Sequence, residues 1–202
     1  MKKVLIVHGL GGLKEQYFPH LAKVCENLGL DVIMPNFGSY RENTNYKIWK
    51  TKFDNEISQK IDNETIVVAN SLGTQFIVKI LAEKKIDVGA YISVAGAGEI
   101  LNLKPTAPER VLNAKNVSET FSPSKKEFEI FKNLNFPKFS FYSNNDRFFE
   151  KENLELYTEL IDSKKLFLPN RNHFDKNDAT DEFYLIFEEL EELVKKIAKQ
   201  KS

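Results

Sequence analysis

The sequence has little cysteine, little histidine and no long apolar run. Its one cysteine, Cys25, cannot form a disulfide within the chain and suits a reducing compartment, where a buried thiol has a structural role. No run approaches the roughly 20 apolar residues of a membrane span. The apolar run near the start ends at His8, short of the roughly 7–15 residues that a signal peptide needs. We therefore expect a soluble cytoplasmic protein.

The charges balance, with 29 lysines and arginines against 29 acidic residues and a formal net charge of zero. Since nucleic acids and anionic membranes attract basic surfaces, we expect neither as a partner. A chain of 202 residues fits one α/β domain over residues 1–202, and oligomeric state cannot be inferred from it.

Nucleotide-binding motifs are also missing. The glycine-rich stretch Gly9-Leu10-Gly11-Gly12-Leu13-Lys14 has lysine where a dinucleotide fingerprint needs its third glycine, and no acidic residue follows the second predicted strand. No Gly-x4-Gly-Lys-Ser/Thr phosphate loop occurs. We expect no cofactor and no metal.

Strand and helix patterns alternate along the chain. The apolar runs predict strands at Lys3–Val7, Asp31–Met34, Val88–Val94, Lys138–Tyr142 and Lys164–Leu168, with one more that begins at Thr65. Helical spacing lies between them, including a helix whose inner face would carry Ile48, Trp49, Phe53 and Ile57. This alternation predicts a parallel sheet with helices on both faces and functional residues at the carboxyl ends of the strands.

The pattern weakens over residues 96–126, where Gly98, Pro105, Pro108 and Pro123 interrupt polar sequence. A segment of this length inside a compact domain is often a lid or another functional excursion. An ordinary surface crossover with a short helix explains it equally well.

The stretch from Thr65 to Gln75 places Ser71 between a buried strand and a helix. The residues two before and two after the serine are Ala69 and Gly73, and both are small enough for a tight strand-to-helix turn. Such a nucleophile elbow exposes the hydroxyl above the sheet. It also leaves the backbone N–H of Leu72 free to bind an oxyanion.

A serine needs a base and a group that orients the base. Of the three histidines, His173 follows the last predicted strand, while His20 lies within a helix and His8 is better suited to bracing the turn beside Gly9. Asp146 follows the fifth strand and is the preferred acid; Asp175 is its rival. The N–H of Leu10 would complete the oxyanion hole.

Ser71, Asp146 and His173 occur in the chain order of the α/β hydrolases. The sequence resembles the small serine hydrolases grouped with the retinoblastoma-binding protein nine and the YdeN-like proteins. That resemblance rests on His8-Gly9, Trp49, the elbow, Asn145-Asp146 and Asn172-His173-Phe174. It implies a minimal fold of about six parallel strands in the order 2-1-3-4-5-6 without a large cap domain.

The resemblance also implies a carboxylesterase-like enzyme that cleaves a small ester, thioester or amide through an acyl-enzyme. The alternative is a catalytically idle binding module, because fold alone does not determine function. Ala69, Asn70 and Asn172 differ from the residues usual in the family; the last two bear on substrate preference more than on catalysis. Tyr40, Phe149 and Phe174 are candidates to line the acyl pocket.

Overall fold

Six parallel strands form one sheet in the computed structural model. The structure describes residues 1–13, 18–39, 42, 45–107, 109, 115–174 and 181–199. Of residues 181–187 it describes the backbone alone. The strands are β1 (Lys3–Val7), β2 (Asp31–Ile33), β3 (Thr65–Asn70), β4 (Ala90–Val94), β5 (Lys138–Tyr142) and β6 (Lys164–Phe167). Their order is β2-β1-β3-β4-β5-β6, and every pairing is parallel. The predicted single-domain fold and strand order are confirmed.

Helices cover both faces of the sheet. Those described are α1 (Phe18–Asn27), α2 (Tyr46–Glu56), α3 (Leu72–Lys84), α4 (Lys115–Phe121), α5 (Lys125–Lys132), α6 (Lys151–Leu160) and α7 (Asp181–Lys199). One apolar cluster joins the sheet to α1 and α7, and a second, larger one joins the opposite face to α2 through α6. None of these helices is long and apolar enough to cross a membrane.

The inner strands contribute side chains to both clusters. In β1, Leu5 and Val7 belong to the larger cluster, while Val4 and Ile6 belong to the other. Every residue of β3 is buried. Side chains alternate between the faces of a strand, so a strand covered on both faces is expected to be mostly apolar, as Ile66, Val67, Val68 and Ala69 are in β3. This is why the central strands were recognisable from sequence.

One side-chain placement and three strand bounds differ from the sequence predictions. Two of the bounds are strand ends: β2 ends at Ile33 rather than Met34, and β6 ends at Phe167 rather than Leu168. Ile48 does not lie on the inner face of α2, because 42% of its surface is exposed, whereas Trp49 and Phe53 are fully buried. Consecutive helical residues differ in direction by about 100°, so Ile48 and Trp49 cannot both face the core directly. The fourth strand begins at Ala90 rather than Val88.

The segment between β4 and β5 contains α4 and α5 among the residues described. Its first part is attached to α6: the side chain of Asn153 accepts from the Glu99 N–H at 2.7 Å and donates to the Glu99 carbonyl at 2.9 Å. The Gly98 N–H also donates to the Asn153 carbonyl. These bonds hold residues 98–99 against the body of the protein, and a lid role for residues 96–126 stays a prediction.

Candidate active site

Ser71 lies on a strained turn between β3 and α3. Its φ of 48° and ψ of −121° are unusual for a residue with a side chain. Its N–H donates to the Val94 carbonyl at the end of β4, so the turn is fixed to the neighbouring strand. The predicted elbow geometry is therefore present at the carboxyl edge of the sheet.

Gly73 allows the elbow to pack against β1. A Cβ at this position would lie 2.5 Å from the His8 carbonyl oxygen and 2.9 Å from that of Val7. Both are backbone atoms, which cannot move aside as a flexible side chain can. Glycine is required here because of this close approach, which also places the loop after β1 beside the first turn of α3.

A hydrogen-bonded chain joins Ser71, His173 and Asp146. Nε2 of His173 lies 3.0 Å from the Ser71 Oγ, and its Nδ1 lies 2.7 Å from Oδ2 of Asp146. A carboxylate can only accept, so Nδ1 carries the proton of the neutral imidazole and Nε2 is left to accept from the serine hydroxyl. The structure thus brings together the three residues that the sequence pattern selected.

Asp146 is fully buried and its second oxygen is also occupied. Oδ1 accepts from the backbone N–H groups of Phe148 and Phe149 at 2.7 and 3.1 Å. The ring of Phe148 meets the His173 imidazole edge-on at 4.2 Å between centroids. The carboxylate is held from both sides, and its orientation toward His173 is set by the backbone.

The loops after β5 and β6 are joined by side-chain-to-backbone hydrogen bonds. Asn145 accepts from the Asn172 N–H at 2.7 Å, and Asn172 accepts from the Arg147 N–H at 2.9 Å. The Asn144 side chain accepts from the Asn170 N–H, and the Ser143 hydroxyl accepts from the Arg171 N–H. These four side chains, which we call the loop clasp, fix the acid loop to the histidine loop.

The loop clasp was not identified from sequence as a unit. Its signal is the polar run Ser143-Asn144-Asn145 directly after a strand, facing a second asparagine-rich loop. Asn170, Asn172 and Phe174 all adopt positive φ, which asparagine tolerates better than most residues. Asn172 therefore has a structural role in this chain, since its side chain binds the acid loop.

Lys104 attaches the segment after β4 to the acid loop. Its ammonium donates to the Asp146 carbonyl at 2.8 Å, and its N–H donates to the Phe148 carbonyl at 2.8 Å. The ammonium also lies 3.4 Å from a Glu150 carboxylate oxygen. Three segments, after β4, β5 and β6, thus meet around the aspartate.

His8 braces the turn after β1. Its Nδ1 bonds the Gly9 carbonyl at 2.7 Å, and its Nε2 accepts from the Phe37 N–H at 2.9 Å. Burial lowers the pKa of His8, and a ring nitrogen that accepts from an amide holds no proton. His8 is thus suited to a structural task, and His20 pairs with Glu191 at the surface.

Two backbone amides are available near the serine. Leu72 is the first residue of α3, and Leu10 lies in the loop that Gly73 allows to approach. Neither N–H donates to any residue in the part of the chain that the structure describes. Free amides at a helix N-terminus favour negative charge. Their use as an oxyanion hole, with support from His8 and Gly9, stays a prediction.

The three expected pocket residues differ in placement. Phe149 is buried, with its ring centroid 6.2 Å from that of His173. Phe174 is buried in the smaller apolar cluster with Phe18 and Phe141. Tyr40 lies outside the described residues. No group of histidine, cysteine or acidic side chains that could hold a metal ion occurs among the residues described.

Solved structures of α/β hydrolases share this fold. The ydeN gene product of B. subtilis superimposes with a TM-score of 0.73 at 17% identity, over 94% of this chain and 98% of that one. A YdeN-like hydrolase from Pectobacterium atrosepticum gives 0.64 at 14% identity, over 98% and 92%. Est1E from Butyrivibrio proteoclasticus gives 0.68 at 15% identity, over 97% and 88%.

Sequence comparison identifies the family. A family model described as serine hydrolase matches residues 4–192. The chain belongs to the serine hydrolase family and is a hydrolase, as the resemblance implied. No curated protein sequence matches the chain.

Proposed function

We propose that the protein cleaves a small ester, thioester or amide through an acyl-enzyme formed on Ser71. The observation that carries this proposal is the pair of hydrogen bonds from Ser71 Oγ to His173 and from His173 to Asp146, at 3.0 and 2.7 Å. Each residue follows a different strand, so their meeting is a property of the fold. A serine hydroxyl bonded to a histidine, which is itself bonded to an aspartate, is an arrangement suited to acyl transfer.

In the first half-reaction, His173 Nε2 takes the hydroxyl proton while Ser71 Oγ bonds to the substrate carbonyl carbon. Asp146 accepts from Nδ1 and stabilises the imidazolium that forms. The carbonyl oxygen becomes an oxyanion, which the N–H groups of Leu72 and Leu10 would bind. The oxyanion then re-forms the carbonyl as the bond from the carbonyl carbon to the leaving oxygen, sulfur or nitrogen breaks. Nε2 gives its proton to that leaving atom, and the acyl-enzyme remains.

In the second half-reaction, water replaces the leaving group. His173 takes a proton from water, the hydroxide oxygen bonds to the acyl carbon, and the proton returns to Ser71 Oγ as the carboxylic acid departs. Fixed hydrogen bonds around Asp146 support this cycle, because preorganised partners need no rearrangement as charge develops. The partner is thus a small acyl substrate.

The alternative, a catalytically idle binding module, predicts no turnover of acyl substrates. The enzyme proposal is favoured by the strained φ of Ser71 and by the two amides held on the carboxylate. The cytoplasmic location that the sequence leads us to expect also stays a prediction.

Turnover of p-nitrophenyl esters tests the proposal. Ser71→Ala should lower kcat/KM by roughly 10⁴- to 10⁶-fold. The matched control is Ser58→Ala, since Ser58 follows α2 and bonds the Asp54 carbonyl there. Ser58→Ala should keep wild-type activity. If Ser71→Ala retains most of its activity while folded, the proposed nucleophile is wrong.

A further inference from the structure

Lys104 bonds two carbonyl groups of the acid loop, which follows β5. Its ammonium donates to the Asp146 carbonyl and its backbone N–H donates to the Phe148 carbonyl, each at 2.8 Å. The Asp146 carboxylate bonds Nδ1 of His173, and the Phe148 ring contacts the imidazole. Lys104 therefore binds the backbone of two residues whose side chains contact the histidine.

The peptide group between Asp146 and Arg147 is bonded at both ends. Its oxygen accepts from the Lys104 ammonium, and its N–H donates to the Asn172 side chain at 2.9 Å. A peptide group is planar, so partners at both ends fix the direction of the bond that joins it to the Asp146 Cα. That carbon carries the side chain with the carboxylate. Removal of the ammonium leaves this peptide group with one anchor.

The peptide group between Phe148 and Phe149 is also bonded at both ends, but through the backbone of Lys104. Its oxygen accepts from the Lys104 N–H, and its own N–H donates to Asp146 Oδ1 at 3.1 Å. A substitution at residue 104 keeps this backbone N–H. The contribution of the ammonium can therefore be measured separately by changing the side chain alone.

The segment that carries Lys104 is itself fixed to α6. The Asn153 side chain bonds the Glu99 N–H and carbonyl at 2.7 and 2.9 Å, and it donates to the Asn102 carbonyl at 3.3 Å. These bonds lie two to five residues before Lys104 in the chain. An anchored segment is what a positioning contact needs, because the lysine can then hold the Asp146 peptide group in one orientation.

The charge of Lys104 does not stabilise α6. The ammonium lies 3.4 Å from a carboxylate oxygen of Glu150, the residue before the helix, and a cation beside a helix N-terminus is unfavourable. The Glu150 side chain is 67% exposed, and an ion pair with such a group contributes little, whereas the Lys104 side chain is only 17% exposed. The bond to the Asp146 carbonyl is therefore the main stabilising contact of the ammonium.

We propose that Lys104 is a positioning residue, whose ammonium holds the Asp146 backbone so that the carboxylate meets Nδ1 of His173. The inference rests on the proposed function. Lys104 acts through Asp146 and exchanges no proton with the substrate. Because His173 transfers protons in both half-reactions, a displaced Asp146 slows both of them, so kcat falls while KM changes little.

Lys104→Met removes the ammonium and keeps most of the side-chain length. Its kcat for p-nitrophenyl acetate should fall by about 10- to 100-fold, the loss that a displacement of up to about 1 Å causes, with little change in KM. The matched control is Lys79→Met. The Lys79 ammonium also donates to backbone carbonyls of the segment between β4 and β5, those of Thr120 and Ser122, at 3.1 and 3.3 Å. Lys79→Met should keep the wild-type kcat.

A second variant restores the ammonium chemically. In Lys104→Cys, the thiolate sulfur displaces bromide from 2-bromoethylamine, which gives a side chain with the length and charge of lysine. Displacement of iodide from 1-iodopropane gives the same length without the charge. The Cys25 thiol is buried and its pKa is raised to about 12, so it does not compete in the folded protein. The aminoethyl form should recover most of the wild-type kcat, and the propyl form should resemble Lys104→Met.

Equal kcat in the aminoethyl and propyl forms overturns the inference, even if Lys104→Met does not fold. Wild-type kcat in Lys104→Met overturns it as well, and so does an equal loss in Lys79→Met, which would indicate general loosening of the segment. Ser71→Ala is a separate readout. Turnover that survives in Ser71→Ala refutes the proposed function, whereas an inactive Ser71→Ala beside a fully active Lys104→Met refutes the positioning role alone.

Discussion

Replacing Asp146 by asparagine should disable the histidine while leaving the fold intact. The two side chains have the same shape, and the N–H groups of Phe148 and Phe149 select which end of the amide faces them. Two donors require an acceptor, so the asparagine oxygen must take the place of Oδ1. The amide NH₂ then faces His173 Nδ1, which has to accept instead of donate.

The consequence is the wrong tautomer of His173. With Nδ1 unprotonated, the proton moves to Nε2, which then cannot accept from Ser71 Oγ. In serine proteases this tautomer change lowers kcat by about 10⁴-fold, which corresponds to about 5.4 kcal/mol of barrier. We expect a loss of that size in kcat/KM for a p-nitrophenyl ester, with an unfolding midpoint in urea close to that of the wild type.

Two further variants sharpen this test. Asp146→Ala leaves two buried N–H groups without an acceptor and should lower the free energy of unfolding by about 2 to 6 kcal/mol, at 1–3 kcal/mol for each group. Asp175→Asn, at the rival position, should keep its activity. The reasoning is refuted if Asp146→Asn retains more than about a tenth of the wild-type kcat/KM, or if Asp175→Asn is the inactive variant.

The remaining predictions concern the elbow, the loop clasp and the thiol. Gly73→Ala should lower stability by about 1–3 kcal/mol in urea unfolding, because its Cβ meets the His8 carbonyl; equal stability would contradict that contact. Asn145→Ala should lower kcat several-fold with little effect on KM, because the loops carrying the acid and histidine lose a shared anchor; unchanged kcat would count against positioning. Burial raises the pKa of Cys25 to about 12, so the folded protein should react with Ellman's reagent only after unfolding, and rapid reaction at pH 8 would show an accessible thiolate.

The inner strands β1 and β3 followed closely from the sequence because nearly all of their residues are buried between the helices on the two faces of the sheet. β1 and β5 have the predicted bounds, and β2 and β6 end one residue earlier than expected. Ile48 was misplaced because it adjoins Trp49, and a run of two apolar residues does not show which one faces the core. Only packing against the sheet decides this.

The residues proposed for catalysis were selected by chain order and position after strands, without any distances. The loop clasp could not be found that way, because its bonds join backbone and side chains 25 to 28 residues apart. They also depend on positive φ at Asn170 and Asn172. Asn172 was therefore interpreted as a change in substrate preference, although its side-chain Oδ1 accepts from the Arg147 N–H.

The central claim is tested most directly by labelling the folded protein with a fluorophosphonate. Peptide mass spectrometry then locates the labelled residue. A hydroxyl activated by His173 should give one adduct, on Ser71, and Ser71→Ala or prior unfolding should abolish it. An unlabelled Ser71 in the folded protein, or an adduct on another serine, would contradict the account.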